Sequence, residues 1–265
     1  MLSPSSIRPG SSRQAWVVWA SAVAVYLLAV FHRTSLSVAG IAAAERFHIS
    51  ASQLSSFTIL QLLANPGTKL GIWVHFCCLM CPNVLALLWG YPWLVEGQQT
   101  SIAVAASLLT LLTAASMIGG PSLGLLISRR PAARLPVLCT VLGATIMTWT
   151  LILAWPGPAP HALLGLLMVL AGMGVPVAMI GFDYARATNA DHRIGIAMAI
   201  VNIGGFLSSV LVILGIGVVL DLSRAGGSTD DPAAFSMAML TPYAAWGVGI
   251  IQIVRYLRRQ NLCHA

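Results

Sequence analysis

Between Ile194 and Leu220 the chain reads IGIAMAIVNIGGFLSSVLVILGIGVVL, a run with no charged residue. Wound as one helix at about 1.5 Å per residue, it is long enough to cross a hydrocarbon core of roughly 30 Å. Working outward from it, apolar runs occupy about 15 to 40, 53 to 64, 70 to 95, 100 to 128, 135 to 155, 161 to 182, 194 to 222 and 235 to 257. Polar or Pro/Gly-rich breaks separate them, among them NPGTK, SRRPAAR, WPGPAPH, DYARATNADHR and SRAGGSTDDPA. Seven runs are full-length. The eighth, Gln53 to Ala64, spans only about 18 Å before Asn65, Pro66 and Gly67 stop it.

Composition agrees with this pattern. Of 265 residues 58% are hydrophobic and 8% charged, with a mean hydropathy of +0.86, whereas soluble domains carry about 25% charged residues. The expected fold is all-α: a polytopic integral membrane protein with about seven full-length transmembrane helices and one short one. Residues 1–14 are polar, and the run after them is longer than a signal-peptide core and lacks a small-residue cleavage pattern, so the first helix is expected to be retained.

The net charge of +7 on a soluble chain would prompt a search for nucleic acid. Here the basic residues lie between apolar runs and act as topology signals. With the N-terminus placed in the cytoplasm, the inner segments hold Arg8, Arg13, Lys69, Arg129, Arg130, Arg134, Arg186, Arg193, Arg255, Arg258 and Arg259. The outer segments hold only Arg46 and Arg224, so both termini are expected to be cytoplasmic. Lys69 is the lone lysine in an Ala-, Gly-, Val- and Leu-rich background, a usage that suggests a high-GC bacterium and its cytoplasmic membrane.

Several blocks resemble a bacterial branch of the major facilitator superfamily (MFS), whose members have twelve helices in two six-helix halves. WVVWASAVAVYLLAVFHRTSLSVAGIAAAERFHISASQLSSFTILQL is similar to helix 1, the first outer loop and the start of helix 2 of that family. From PGTKLGIWVHF onward the chain resembles helices 7 to 12 in order, through LLWGYPWLVEGQ, GGPSLGLLISRRPAARL, LAWPGPAP, GFDYARATNADHRIGIAMAIVNIGGF and GVVLDL. The resemblance implies that the end of helix 2, helices 3 to 6 and the central loop are absent, a gap of about 150 residues at family helix lengths. It divides the chain into a cytoplasmic tail (1–14), a remnant of the N-terminal half (15–64), a junction (65–69), a C-terminal six-helix half (70–257) and a second cytoplasmic tail (258–265). The family's signature loop after helix 2 does not follow the short run; its counterpart after helix 8 is present in part as Gly124, Ser128, Arg129 and Arg134, with Ser128 where the family often has Asp, and a plain positive-inside loop explains these arginines equally well.

Few residues in the spans have polar chemistry. Trp19, Tyr26 and Arg33 lie at steps of seven and share a helical face. In the resembled family helix 1 lines the central cavity, which makes this face a substrate candidate; alternatively Arg33 snorkels to the outer headgroups. His75 and Asn83 fall in another cavity-lining helix of the family, and His75 is a candidate for proton coupling or else a hydrogen-bonded core or interfacial histidine. Asn202 needs a partner, either substrate or a neighbouring helix, and with Gly195, Gly204 and Gly205 it belongs to a run suited to close helix packing. Asp183 and Arg186 can pair with each other or with Arg129 or Arg130, as a latch on one conformation or as a solvated loop pair. Asn189 or Asp191 is a candidate cap for the following helix. Gly172, Gly174 and Pro176 suggest a bend.

Cys77, Cys78 and Cys81 form C-C-x-x-C without the His or second Cys pair of a zinc site, and no metal or cofactor is expected. No catalytic or nucleotide-binding fingerprint is present, so the chain is not expected to be an enzyme. Two functions compete. One is an MFS-type secondary transporter moving a small solute, anionic if Arg33 contacts it, on a proton or other ion gradient. The other is an internally deleted remnant that is inactive, or acts by pairing with a second copy or another membrane protein. The expected partners are thus lipid, a solute and an ion, with no nucleic acid.

Overall fold

The computed structural model describes residues 59–225 and 232–263, and every regular element among them is helical. Residues 59–64 are helical and Asn65 interrupts the run. The N-P-G triplet that stops one helix also starts the next. Asn65 Oδ1 accepts hydrogen bonds from the Gly67 and Thr68 N–H groups at 2.9 and 3.1 Å, and Pro66 fills the first helical position, where a missing N–H is no loss. Helix α1 therefore covers Pro66–Val84, and of the junction expected over 65–69 only Asn65 lies outside a helix.

Two π turns, Leu85–Trp89 and Trp93–Gly97, carry the span on to Gly97. Helix α2 (Ile102–Arg129) starts under the Ser101 cap, whose hydroxyl accepts from Val104 N–H. A 3-10 turn at Pro131–Ala133 leads into α3 (Arg134–Leu153). Next come α4 (His161–Ala178) and α5 (Ile180–Thr188), separated at Met179 just after Pro176, so the expected bend is a break. After a 3-10 turn at Asp191–Arg193 follow α6 (Ile194–Ala225), α7 (Pro232–Ala238) and α8 (Thr241–Cys263). The tail expected from residue 258 is thus helical as far as Cys263.

Six spans among the described residues are long and apolar enough to cross a membrane: Pro66–Gly97, Ile102–Arg129, Pro131–Leu153, His161–Thr188, Asp191–Ser223 and Pro232–Arg258. The protein is an all-α, multi-pass membrane protein. The expected span over 15–40 and the first half of the short run, 53–58, lie outside the described residues.

From Leu62 onward the chain forms one unit with α1 at its centre, packed against α4, α5, α6 and α8. The most apolar stretch of the α1 span is 72% buried, against 22% for that of α2. Inside a bilayer lipid tails are as apolar as leucine, so close van der Waals approach must hold helices together. The α1–α5 crossing shows how: a Cβ on Gly181 would stand 2.6 Å from the Gly71 carbonyl oxygen, and one on Gly71 would strike the Gly181 carbonyl in turn. Outward faces remain apolar, with Met117, Ile203, Leu214 and Ile251 all more than 60% exposed.

Among the described residues, Lys69 and Arg129, Arg130, Arg134, Arg186 and Arg193 gather at one end of the unit, the basic end. Asn65 Nδ2 donates to Thr188 O at 2.8 Å, Lys69 Nζ lies 5.9 Å from the Tyr256 ring centroid, and Arg134 meets Asp183. At the opposite end three tryptophans interlock: Trp93 stacks on Trp149 at 5.5 Å, and Trp149 meets Trp246 edge-on at 5.7 Å.

Candidate functional site

The α1–α6 interface collects three of the residues singled out from the sequence. His75 is fully buried among the helices. Its Nδ1 lies 3.0 Å from Ala178 O and its Nε2 3.3 Å from Asn202 Oδ1. The Ala178 carbonyl is free for this because α4 breaks there: Phe182 N–H, which a continuous helix would send to it, goes to Met179 O instead. The Phe182 ring packs 4.7 Å from the imidazole. Two turns along α1, Asn83 Nδ2 donates to Ser209 Oγ at 3.0 Å. Between them Ser208 Oγ donates to Phe76 O at 2.8 Å, and beyond them Trp89 Nε1 donates to Ile213 O at 2.9 Å.

Glycine makes this ladder possible. A Cβ on Gly205 would stand 2.6 Å from His75 Cδ2, and one on Gly204 2.9 Å from Ile72 O. Gly195 takes no part, since nothing lies within 4 Å of its Cβ position. Asn202 is itself exposed, so one side of its amide meets the buried histidine and the other faces outward among Ile203 and Phe206, which are 62% and 50% exposed.

A second polar group sits at the basic end. Asp183 Oδ2 lies 3.2 Å from Arg134 Nε, and its Oδ1 4.0 Å from Arg186 Nη1. The pairing with Arg186 matches their spacing, but the partner across the loop is Arg134, not Arg129 or Arg130. Pro131 starts the 3-10 turn that swings the chain round, which puts Arg134 in the first turn of α3 opposite Asp183 and leaves Arg129 exposed at the end of α2. Asn189 does not cap the next helix: its Nδ2 donates to Ala185 O and Thr68 Oγ1, tying α5 to α1. Asp191 caps nothing either.

Beside this pair a cleft of about 540 Å³ opens between α2 and the α4–α5 break, lined by Ser116, Gly120, Gly124 and Ser128 on one wall and by Val175 and Met179 on the other. Arg134 and Asp183 both border it. The pair is partly exposed, at 34% and 28%, so Asp183→Asn should cost no more than about 1 kcal/mol of unfolding free energy. Denaturation in mixed micelles checks this, and a loss of several kcal/mol would mean the carboxylate is buried.

Trp19, Tyr26 and Arg33 lie outside the described residues. Cys77, Cys78 and Cys81 are buried thiols on α1, and no group of three metal-ligating side chains occurs among the described residues. Sequence reasoning passed over Arg134 as Asp183's partner, the Trp93–Trp149–Trp246 cluster, and the Gly71–Gly181 crossing. The last left a trace in the sequence: Gly67 and Gly71 form a G-x-x-x-G pair. No protein family, curated protein or solved structure matches the chain.

Proposed function

We propose that this chain is a secondary transporter of the MFS type in the cytoplasmic membrane of a bacterium, with the unit from α1 to α8 as its C-terminal half. The observation that carries this reading is the cleft at the basic end. Its volume falls in the range of small-molecule sites, its mainly apolar lining carries the Ser116 and Ser128 hydroxyls among Gly120, Leu123, Gly124 and Ile127, and an ion pair stands at its border. In the resembled family the signature loop often carries Asp where this chain has Ser128, whose hydroxyl merely donates to Leu125 O. Asp183 supplies Arg134 with a carboxylate from another helix and is suited to latch one state of an alternating-access cycle.

The bias of arginines to one end supports a cytoplasmic location for that end and for both termini. Transport further requires a second bundle facing the first, and a second copy of the chain is the simplest source. The solute is small and, if Arg33 contributes, anionic; an ion gradient, most simply protons, drives it.

One observation favours a different reading, a non-transporting remnant. His75, Asn83 and Asn202 are already bonded within the unit, and a single bundle cannot enclose a pathway. Purified chain in liposomes with an imposed pH gradient and an internal pH dye separates the two. The transporter reading expects at least one solute of a broad panel, anions included, to speed collapse of the gradient several-fold over protein-free vesicles. Folded protein that moves no proton with any solute sinks it in favour of the remnant.

A further inference from the structure

The geometry points to His75 as a proton-binding site whose charge state sets which way the Asn202 amide faces. This holds whether or not the chain carries a solute, because it follows from donors and acceptors alone. A backbone carbonyl only accepts, so the nitrogen facing Ala178 O, Nδ1, must carry a hydrogen. A neutral ring has then spent its one N–H, and its Nε2 is an acceptor that needs a donor from Asn202. The amide satisfies it by turning Nδ2 inward. A doubly protonated ring instead has an Nε2–H to give, and the same amide satisfies it with Oδ1 inward, the arrangement seen at 3.3 Å.

Each ring state therefore has one matching amide orientation. The proton gained on Nε2 comes from water and returns to it; Asn202 exchanges none and only rotates. Because Asn202 is exposed on the far side, the switch is displayed outward. With His75 charged, the outer surface of α6 presents an NH₂ donor; with His75 neutral, it presents a carbonyl acceptor. A hydrogen-bonding group on a facing helix or solute would read that difference.

Among the described residues, no charged group hydrogen-bonds to the ring. On α5, Asp183 is engaged with Arg134 and Arg186, and Tyr184 makes no hydrogen bond to His75. On α1, Lys69 lies about 9 Å along the axis toward the basic end, and Cys77, Cys78 and Cys81 make no hydrogen bond to the ring. On α6, Asp221 lies about 28 Å along the axis from Asn202, and the Asp191–Arg193 turn about 13 Å away on the other side. His161 at the start of α4, and Tyr243, Arg255, Tyr256 and Arg258 on α8, make no hydrogen bond or ion pair with it either. The two bonds to Ala178 and Asn202 are the hydrogen bonds of the ring.

The test is imidazole and amide nitrogen NMR on the full chain, labelled at histidine and asparagine, in lipid nanodiscs between pH 5 and 8.5. His75 is identified among six histidines by the signal lost in His75→Gln or, should that variant not fold, by its correlation to the Phe182 ring. The expected result is Nδ1 protonated throughout, Nε2 changing from bare to protonated as pH falls, and the Asn202 amide signal moving with the same midpoint. Asn202→Leu removes the Nε2 partner of both ring states, and because the bond to the charged ring is the stronger, it should move that midpoint about tenfold toward higher proton concentration, while Asn83→Leu, in the same ladder, should leave it in place. An Nε2 that keeps one state across the range, or an Asn202 amide that does not follow it, overturns the inference.

Discussion

Gly71→Val should remove about 3 kcal/mol or more of stability. Every substituent at this position meets the Gly181 carbonyl, and that carbonyl belongs to helix backbone. A side chain in the way could rotate aside; backbone can yield only if α1 and α5 separate. Separation would also pull Phe182 from His75 and Thr188 from Asn65, so the cost should reach the upper end of overpacking penalties. Gly143→Val on α3 is the control, since a Cβ there meets nothing within 4 Å and the same propensity change should stay within about 0.5 kcal/mol. Reversible unfolding in mixed micelles, followed by circular dichroism, compares the two. Equal stabilities would mean that the α1–α5 backbones are not in contact.

Trp149→Ala is expected to cost about 3 to 5 kcal/mol, the range for deleting a buried tryptophan. The side chain is 1% exposed, stacks on Trp93, meets Trp246 edge-on and donates its Nε1–H to Met239 O at 2.9 Å. Removing it leaves a void among three spans and strands the Met239 carbonyl. Trp155, 44% exposed beyond the end of the same helix, should tolerate alanine within about 0.5 kcal/mol. The near-ultraviolet signal of the tryptophan cluster should fall with Trp149→Ala and hold with Trp155→Ala, and a similar loss in both would contradict the packing described.

Much of the helical organisation was legible in the sequence, because a helix in lipid must be apolar along its whole length and the breaks between runs must be polar. The six described spans agree with six of the expected runs to within a few residues at most ends. Where the edges moved, local chemistry explains it. Asn-Pro-Gly ends the short run, yet an asparagine ahead of a proline also supplies the cap, and the proline the first residue, of the next helix. Likewise Pro176 announced a bend, but nothing local said that the break would free the Ala178 carbonyl and aim it at a histidine more than a hundred residues away.

The polar residues divide the same way. That His75, Asn83 and Asn202 would need partners followed from their setting in apolar helices. That His75 and Asn202 would be each other's partner, and that Ser209 would serve Asn83, depends on the register between α1 and α6. Gly204 and Gly205 permit that register by letting the backbones close. Asp183 shows the same limit: its spacing identified Arg186, but Arg134 became the nearer partner only through the turn begun at Pro131.

What the sequence determined by itself is therefore the solvent of each segment. Charge content, run length and the placement of arginines are properties of the chain read in order, and they suffice to make this a multi-pass α-helical membrane protein. Which helix lies at the centre, which glycines touch, and which polar atoms meet were decided only by the tertiary structure. In lipid every apolar face is equally welcome outside the bundle, so hydrophobicity does not choose among packings. Close backbone approach and a few hydrogen bonds between distant residues make that choice.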